Sequence, residues 1–230
     1  MRSYADVATS AVREMLGQLI DSRSTEDYRA LMTRLGEELG TMAGHKLKAS
    51  DRIMLVCTNE DADFLAKGVL HGLEQMGCTH ITLACFWNAR QRTQLLDVAP
   101  IVRQYIEPVH KDSINVFVVI KSIISSACVI RTNISELVYD FEPERVLILA
   151  PVVLVGAQQN LEAEFDPEIA ARFEYLWFAQ DDQKEDDGTV VPGIGGSVYE
   201  LLGIGTSETK NSFVPQLVES RREAIRLENV

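Results

Sequence analysis

The sequence predicts an α/β fold: an open parallel sheet flanked by helices on both faces. Three observations lead there. Continuous Val/Ile/Leu runs of strand length recur along the chain, segments of helical period separate them, and the runs do not alternate polar with apolar residues as a half-exposed strand would. Strands buried on both faces and joined by helices form a parallel sheet.

The elements follow in order. Residues 25–47, TEDYRALMTRLGEELGTMAGHKL, space Tyr28, Leu31, Met32, Leu35, Leu39, Met42 and Ala43 by three and four, with Thr25 as the expected cap before Glu26 and Asp27. DRIMLVCT is a strand, and DADFLAKGVLHGLEQMGC a helix closing near Gly77. THITLACFW and NVFVVIKS read as strands, RTNISELVYDF as a helix, RVLILAPVVLV as a strand, NLEAEFDPEIAARF as one helix and EYLWFAQ as a last strand. Residues 1–205 are expected to form the sheet domain with a small cap over its ligand site, and residues 206–230 a helical tail.

Composition narrows the partners. With 34 acidic against 22 basic residues and a formal charge of -12, the surface repels phosphate backbones and anionic lipid, so no nucleic acid and no membrane is expected as a partner. No apolar stretch approaches the roughly 20 residues of a membrane span, and the opening MRSYADVATSAVREML lacks the apolar core of a signal peptide, so the expected location is cytoplasmic. Four scattered cysteines in 230 residues do not make a disulfide scaffold.

Ligands of such sheets bind at the carboxyl ends of the strands, which directs attention to residues 58–63, 121–129, 151–158 and 180–195. The last of these regions runs into DGTVVPGIGGSVYELLGIG, a Pro-Gly turn followed by further glycines, which lets backbone N–H and C=O groups approach the edge of a flat ligand. This segment resembles the nucleobase loop of the uracil phosphoribosyltransferase family, and the order of strands and helices resembles that family's type I phosphoribosyltransferase fold along most of the chain. The resemblance implies a nucleobase site on the backbone of Val190, Pro192, Gly193 and Gly195.

The departures from the family pattern fall on the chemistry. Where the family's phosphoribosyl pyrophosphate loop has its ribose-binding acid and phosphate-wrapping glycines, this chain has Lys121, Ser125, Ser126, Ala127 and Cys128. Where the family has a pyrophosphate-binding arginine, this chain has Glu60, with Asp61 and Asp63 beside it. The expectation is a lost or remodelled phosphoribosyl pyrophosphate site in a nucleobase- or nucleotide-binding protein or structural subunit, a pseudoenzyme within nucleotide metabolism. A divergent phosphoribosyl or glycosyl transferase, or a lyase on a nucleobase, nucleoside or nucleotide, is the alternative, with Asp181, Glu60 and Cys128 as its candidate catalytic groups. A non-catalytic partner of a related chain is a third reading.

No cofactor is expected, and magnesium only with a phosphorylated ligand. The acidic run Asp181, Asp182, Glu185, Asp186, Asp187 reads as a Mg²⁺ site or as a solvated acidic loop, the commoner outcome for successive carboxylates. Cys78, His80 and Cys85 lack a CxxC pair and a fourth ligand, so no metal site is assigned. Cys128 reads as an inert buried thiol or as a nucleophile activated at a helix start. Phe86 and Trp87 read as core residues or as stacking surfaces for a ligand. The apolar set Phe213, Val214, Leu217, Val218, Ile225 and Leu227 of the tail either docks on the body or pairs the chain as a homodimer or with a related chain.

Overall fold

The structure, a computed structural model, describes residues 1–89, 91–92, 97–186 and 188–228. The chain opens with β1 (Arg2–Tyr4), α1 (Ser10–Asp21), α2 (Thr25–Gly44) and β2 (Ile53–Thr58). Three consecutive helical stretches, Asn59–Asp61, a π turn over Ala62–Ala66 and Lys67–Gln75, then run on as α3. β3 (Ile81–Asn88), β4 (Ile101–Ile106), β5 (Val116–Ile120), β6 (Ile123–Ile124) and α4 (Cys128–Phe141) follow. Next come β7 (Arg145–Leu154), the short helices α5 (Ala157–Glu162) and α6 (Pro167–Ala170), and β8 (Phe173–Asp181). β9 (Gln183–Lys184), β10 (Val190–Val191), α7 (Val198–Leu201) and α8 (Gln216–Glu228) complete the described chain.

The α/β class expected from the sequence is the one observed. The central sheet runs β1-β8-β7-β5-β2-β3-β4, with β6 alongside β7 as its eighth strand. Its interior is parallel, and its edges, β1 on β8 and β4 on β3, are antiparallel. Both faces are covered. Ile53, Leu55 and Cys57 of β2 belong to one core, with residues of α1, α2 and α3, while Met54 and Val56 belong to the other, with Ile130, Ile134 and Leu137 of α4. From β2 the chain builds outward through β3 to β4, then returns to the opposite side of β2 as β5. The direction of winding therefore reverses between β2 and β5, where open α/β sheets form their ligand crevice.

Several sequence expectations need correction. Ser24 rather than Thr25 caps α2, its hydroxyl accepting from the Asp27 amide. α3 begins at Asn59, ahead of the expected start, which puts Glu60 and Asp61 in its first turn, where the positive end of the helix favours acids. The single helix expected over 160–173 is two short ones; Pro167, at the start of the second, has no N–H to continue a helix through it. Residues 121–124 do not open into a loop. The register that pairs Ile120 with Leu149 also pairs Ile123 with Val152, so β5 resumes as β6 along β7 after a break at Lys121 and Ser122.

α2 and α3 cross at backbone contact through two pairs of glycines. A Cβ on Gly40 of α2 would lie 2.3 Å from the Val69 carbonyl oxygen, and one on Gly68 of α3 would lie 2.1 Å from that of Thr33. This close crossing seats α3, and with it Glu60 and Asp61, against the end of β2.

The tail helix docks on the body. The two oxygens of Asp63 on α3 accept the Gln216 and Leu217 amides at 2.9 and 2.8 Å, capping α8 from a distant part of the chain. Val218 is fully buried, and Arg221 donates to Glu107 at 2.6 and 3.0 Å. The part of the apolar tail that includes Val218 is thus engaged by the chain itself.

Candidate functional site

The crevice between the carboxyl ends of β2 and β5 holds four charged side chains. Lys121 Nζ donates to Asp61 Oδ2 at 2.6 Å and lies 3.3 Å from Glu60 Oε1. Lys210, arriving from the segment before α8, donates to Glu60 Oε2 at 3.3 Å. Thr58 donates to Asp61 Oδ2 at 2.8 Å, and Asn59 Nδ2 donates to the Lys210 carbonyl at 2.8 Å, fastening the lysine's backbone as well as its side chain. All four charged groups are buried, so each charge depends on its partners for solvation.

The electrostatics follow from that enclosure. Burial pushes the Glu60 carboxyl up, but Lys121 and Lys210, with the residue's own amide, outweigh it and hold the group below the ordinary carboxylate range. Burial pulls the Lys121 ammonium down, and the Asp61 and Glu60 carboxylates overcome this and leave it above the ordinary lysine value. Two cations against two anions leave the cluster with no net charge. It is nevertheless rich in acceptors: Asp61 Oδ1 and Asn59 Oδ1 are buried with no hydrogen-bond partner among the described residues.

Beside the cluster lies a cavity of about 480 Å³, within the range of roughly 300–1,000 Å³ that small-molecule sites occupy. Its apolar walls include Ile123, Val190, Ile194 and Val198; its polar ones include Ser125, Ser197, Tyr199 and Lys210. Lys210 joins the two features, since its Nζ is bound to Glu60 and lies 4.8 Å from the centre of the Tyr199 ring.

The loop over this cavity is held from three sides. Asp181, fully buried at the end of β8, takes the Arg2 guanidinium in two hydrogen bonds of 2.8 and 2.7 Å and accepts the Gly193 amide at 2.9 Å. Arg2 donates to the Gly193 carbonyl at 2.5 Å. From α2, Tyr28 donates to the Ile194 carbonyl at 2.9 Å, and Arg29 donates to that of Leu202 at 2.9 and 2.7 Å. Gly193 has φ 56°, and a Cβ there would meet the Val190 oxygen at 2.2 Å, so only glycine closes this turn. The Val191–Pro192 peptide is cis.

No family model and no curated protein matches the chain. The solved structure of the AQ2163 protein from Aquifex aeolicus superposes with a TM-score of 0.67 at 15% identity, covering 86% of this chain and 96% of that one. The fold is shared with that protein. Hypoxanthine-guanine phosphoribosyltransferase from L. donovani superposes at a TM-score of 0.43 and 9% identity over 63% of this chain and 75% of its own. A hypoxanthine phosphoribosyltransferase from Staphylococcus aureus does so at 0.43 and 10% over 66% and 74%.

The sequence-predicted residues separate into distinct places. Val190 and Ser125 line the cavity. Gly195 lines the adjoining groove with Ser22–Thr25, and a Cβ there would lie 3.1 Å from the Ile20 Cα. Pro192 and Gly193 shape the loop without lining the cavity. Glu60 and Lys121 form the ion cluster, and Asp181 holds the loop. Ser126 and Cys128 lie 3.4 Å apart at the start of α4, with Ala127 as the residue before that helix, and none of the three lines the cavity. Phe86 and Trp87 are fully buried core residues, the Trp87 indole donating to the Phe213 carbonyl at 2.8 Å. Of the acidic run, Asp182, Glu185 and Asp186 are exposed, and Asp187 lies outside the described residues. Among the described residues no three His, Cys, Asp or Glu side chains gather to hold a metal ion, and no helix is long and apolar enough to cross a membrane.

Sequence reasoning missed Lys210 and Ser207. Both sit in the polar stretch TSETKNS, whose composition is that of a solvated loop. No local pattern marks a lysine that is buried by contacts 150 residues away.

Proposed function

We propose that this chain is a phosphoribosyltransferase-like binding protein whose cavity takes a nucleobase, nucleoside or nucleotide and which does not use phosphoribosyl pyrophosphate as a substrate. One observation carries this reading: the crevice at the sheet's switch point is filled by the chain's own ion cluster, while the cavity beside it stays open. A pyrophosphate in the crevice would have to draw Lys121 or Lys210 away from Glu60 and Asp61, leaving buried carboxylates with less compensation beside it. The uracil-phosphoribosyltransferase resemblance of the VPGIG segment supports a flat heterocycle as the occupant of the cavity. A cytoplasmic role in nucleotide metabolism, and pairing with a second copy or a related chain, belong to the same proposal.

Two measurements test it. Purified protein with uracil, phosphoribosyl pyrophosphate and Mg²⁺ should release no pyrophosphate; turnover in the usual enzyme range of about 1–1000 per second would overturn the reading. Melting temperature should rise with one or more nucleobases, nucleosides or nucleotides, because a ligand that prefers the native state stabilises it by mass action. The divergent-enzyme reading has one observation in its favour, the Glu60–Lys210 pair at the cavity wall. Release of a free base from a nucleoside or nucleotide by the wild type, lost in Lys210→Met, would establish it.

A further inference from the structure

We infer that the cavity selects an uncharged ligand, a nucleobase or nucleoside, and discriminates against the corresponding nucleotide. This rests on the proposal that the cavity binds a molecule of that class, and it adds which members are admitted. Charge makes the selection. Among the described lining residues the single charged side chain is Lys210, and the rest are apolar residues, glycines, Ser, Thr and Tyr. The Lys210 charge is already balanced by Glu60, whose Oε2 lies 3.3 Å from its ammonium, so the wall offers a phosphate no net positive charge.

A phosphate that drew the Lys210 ammonium toward itself would weaken its pairing with Glu60. Glu60, 2% exposed, would then share Lys121 with Asp61. Two buried carboxylates would be left on one ammonium, and cluster and ligand together would carry about two uncompensated negative charges at neutral pH. A neutral heterocycle meets no such conflict. Its faces fit against Ile123, Val190, Ile194 and Val198, and its edges against the serine and tyrosine hydroxyls of the wall.

The test is calorimetric titration of the full chain with uridine and uridine 5′-monophosphate, and with guanosine and guanosine 5′-monophosphate, in one buffer. The expected result is that at least one nucleoside binds and that its monophosphate binds roughly tenfold or more weakly, tenfold being 1.4 kcal/mol. A monophosphate that binds as tightly as its nucleoside, or more tightly, overturns the inference and leaves the proposed function standing. Failure of all four to bind, together with free bases, overturns both. The variant Glu60→Gln supplies the second measurement. It releases Lys210 and turns the cluster from neutral to cationic, so it should shift the nucleotide-to-nucleoside affinity ratio toward the nucleotide by about tenfold. An unchanged ratio, in a variant whose near-ultraviolet circular dichroism matches the wild type, overturns the charge account.

Discussion

Lys121 is the residue on which the crevice turns. It stands between Glu60 and Asp61 and is buried, so its removal leaves carboxylates in a protein interior with half their compensation. Lys121→Met should therefore destabilise the fold by about 3–5 kcal/mol in urea titration. The double variant Lys121→Met with Asp61→Asn, which removes both ends of the shortest ion pair of the cluster, should recover much of that loss. A single variant as stable as the wild type would show that the cluster is hydrated and open. The neighbouring Arg2–Asp181 pair shows a different use of the same chemistry. Asp181 stood in the sequence as a candidate acid; in the fold it binds a guanidinium and the Gly193 amide, an arrangement that shapes a loop.

At the scale of elements, α2 and α3 pack so closely that two of their glycines mark the limit of approach. Gly40→Ala puts a methyl group 2.3 Å from a backbone oxygen and 2.9 Å from the Val69 Cα, and neither can move without shifting the helix. A loss of about 1–3 kcal/mol or more is expected. Gly17, within α1, has nothing within 4 Å of the position a Cβ would take, so Gly17→Ala should instead stabilise by about 0.5–1 kcal/mol through helix propensity. Opposite signs for two chemically identical substitutions, read from thermal melts, would confirm that the crossing is set by contact. The strands show how legibility varies with position. β2, β5 and β7 are buried on both faces, and their unbroken apolar runs announce them. β4, IVRQYI, is an antiparallel edge whose middle residues are exposed, and β1 is three residues long, so neither carries that signal.

For the whole molecule, the ion cluster makes stability depend on pH with a definite sign. Glu60 titrates below its ordinary 4.5, so its contribution is complete above pH 4.5 and is lost as pH falls through the lowered value. Lys121 titrates above its ordinary 10.5, so its contribution is complete below pH 10.5 and is lost as pH rises through the raised value. Urea midpoints should hold between these limits and fall beyond them, and the gap between wild type and Glu60→Gln should narrow as pH drops below 4.5. The tail belongs to the same balance. A chain ending at Gly205 loses Lys210, the Val218 packing and the Asp63-capped helix together. It should melt well below the full chain, and it should do so as a monomer if the tail serves only its own body; light scattering beside the melt checks both.

The sequence by itself determined the α/β class, the buried strands and the glycine turn over the cavity, because each rests on local signals: two-faced burial shows in residue type, and a tight turn requires particular residues at adjacent positions. It also placed Glu60 and Lys121 at strand ends, though as departures from a phosphate site and not as partners of each other. Only the tertiary structure decided that they pair, that Lys210 completes them, and that β5 resumes as β6 where a loop was expected. The pairings are facts of distance between residues 60 to 150 positions apart. Charge pairing over such separations is set by how the strands and helices stack, and residue type alone carries no record of which lysine will be brought to which carboxylate.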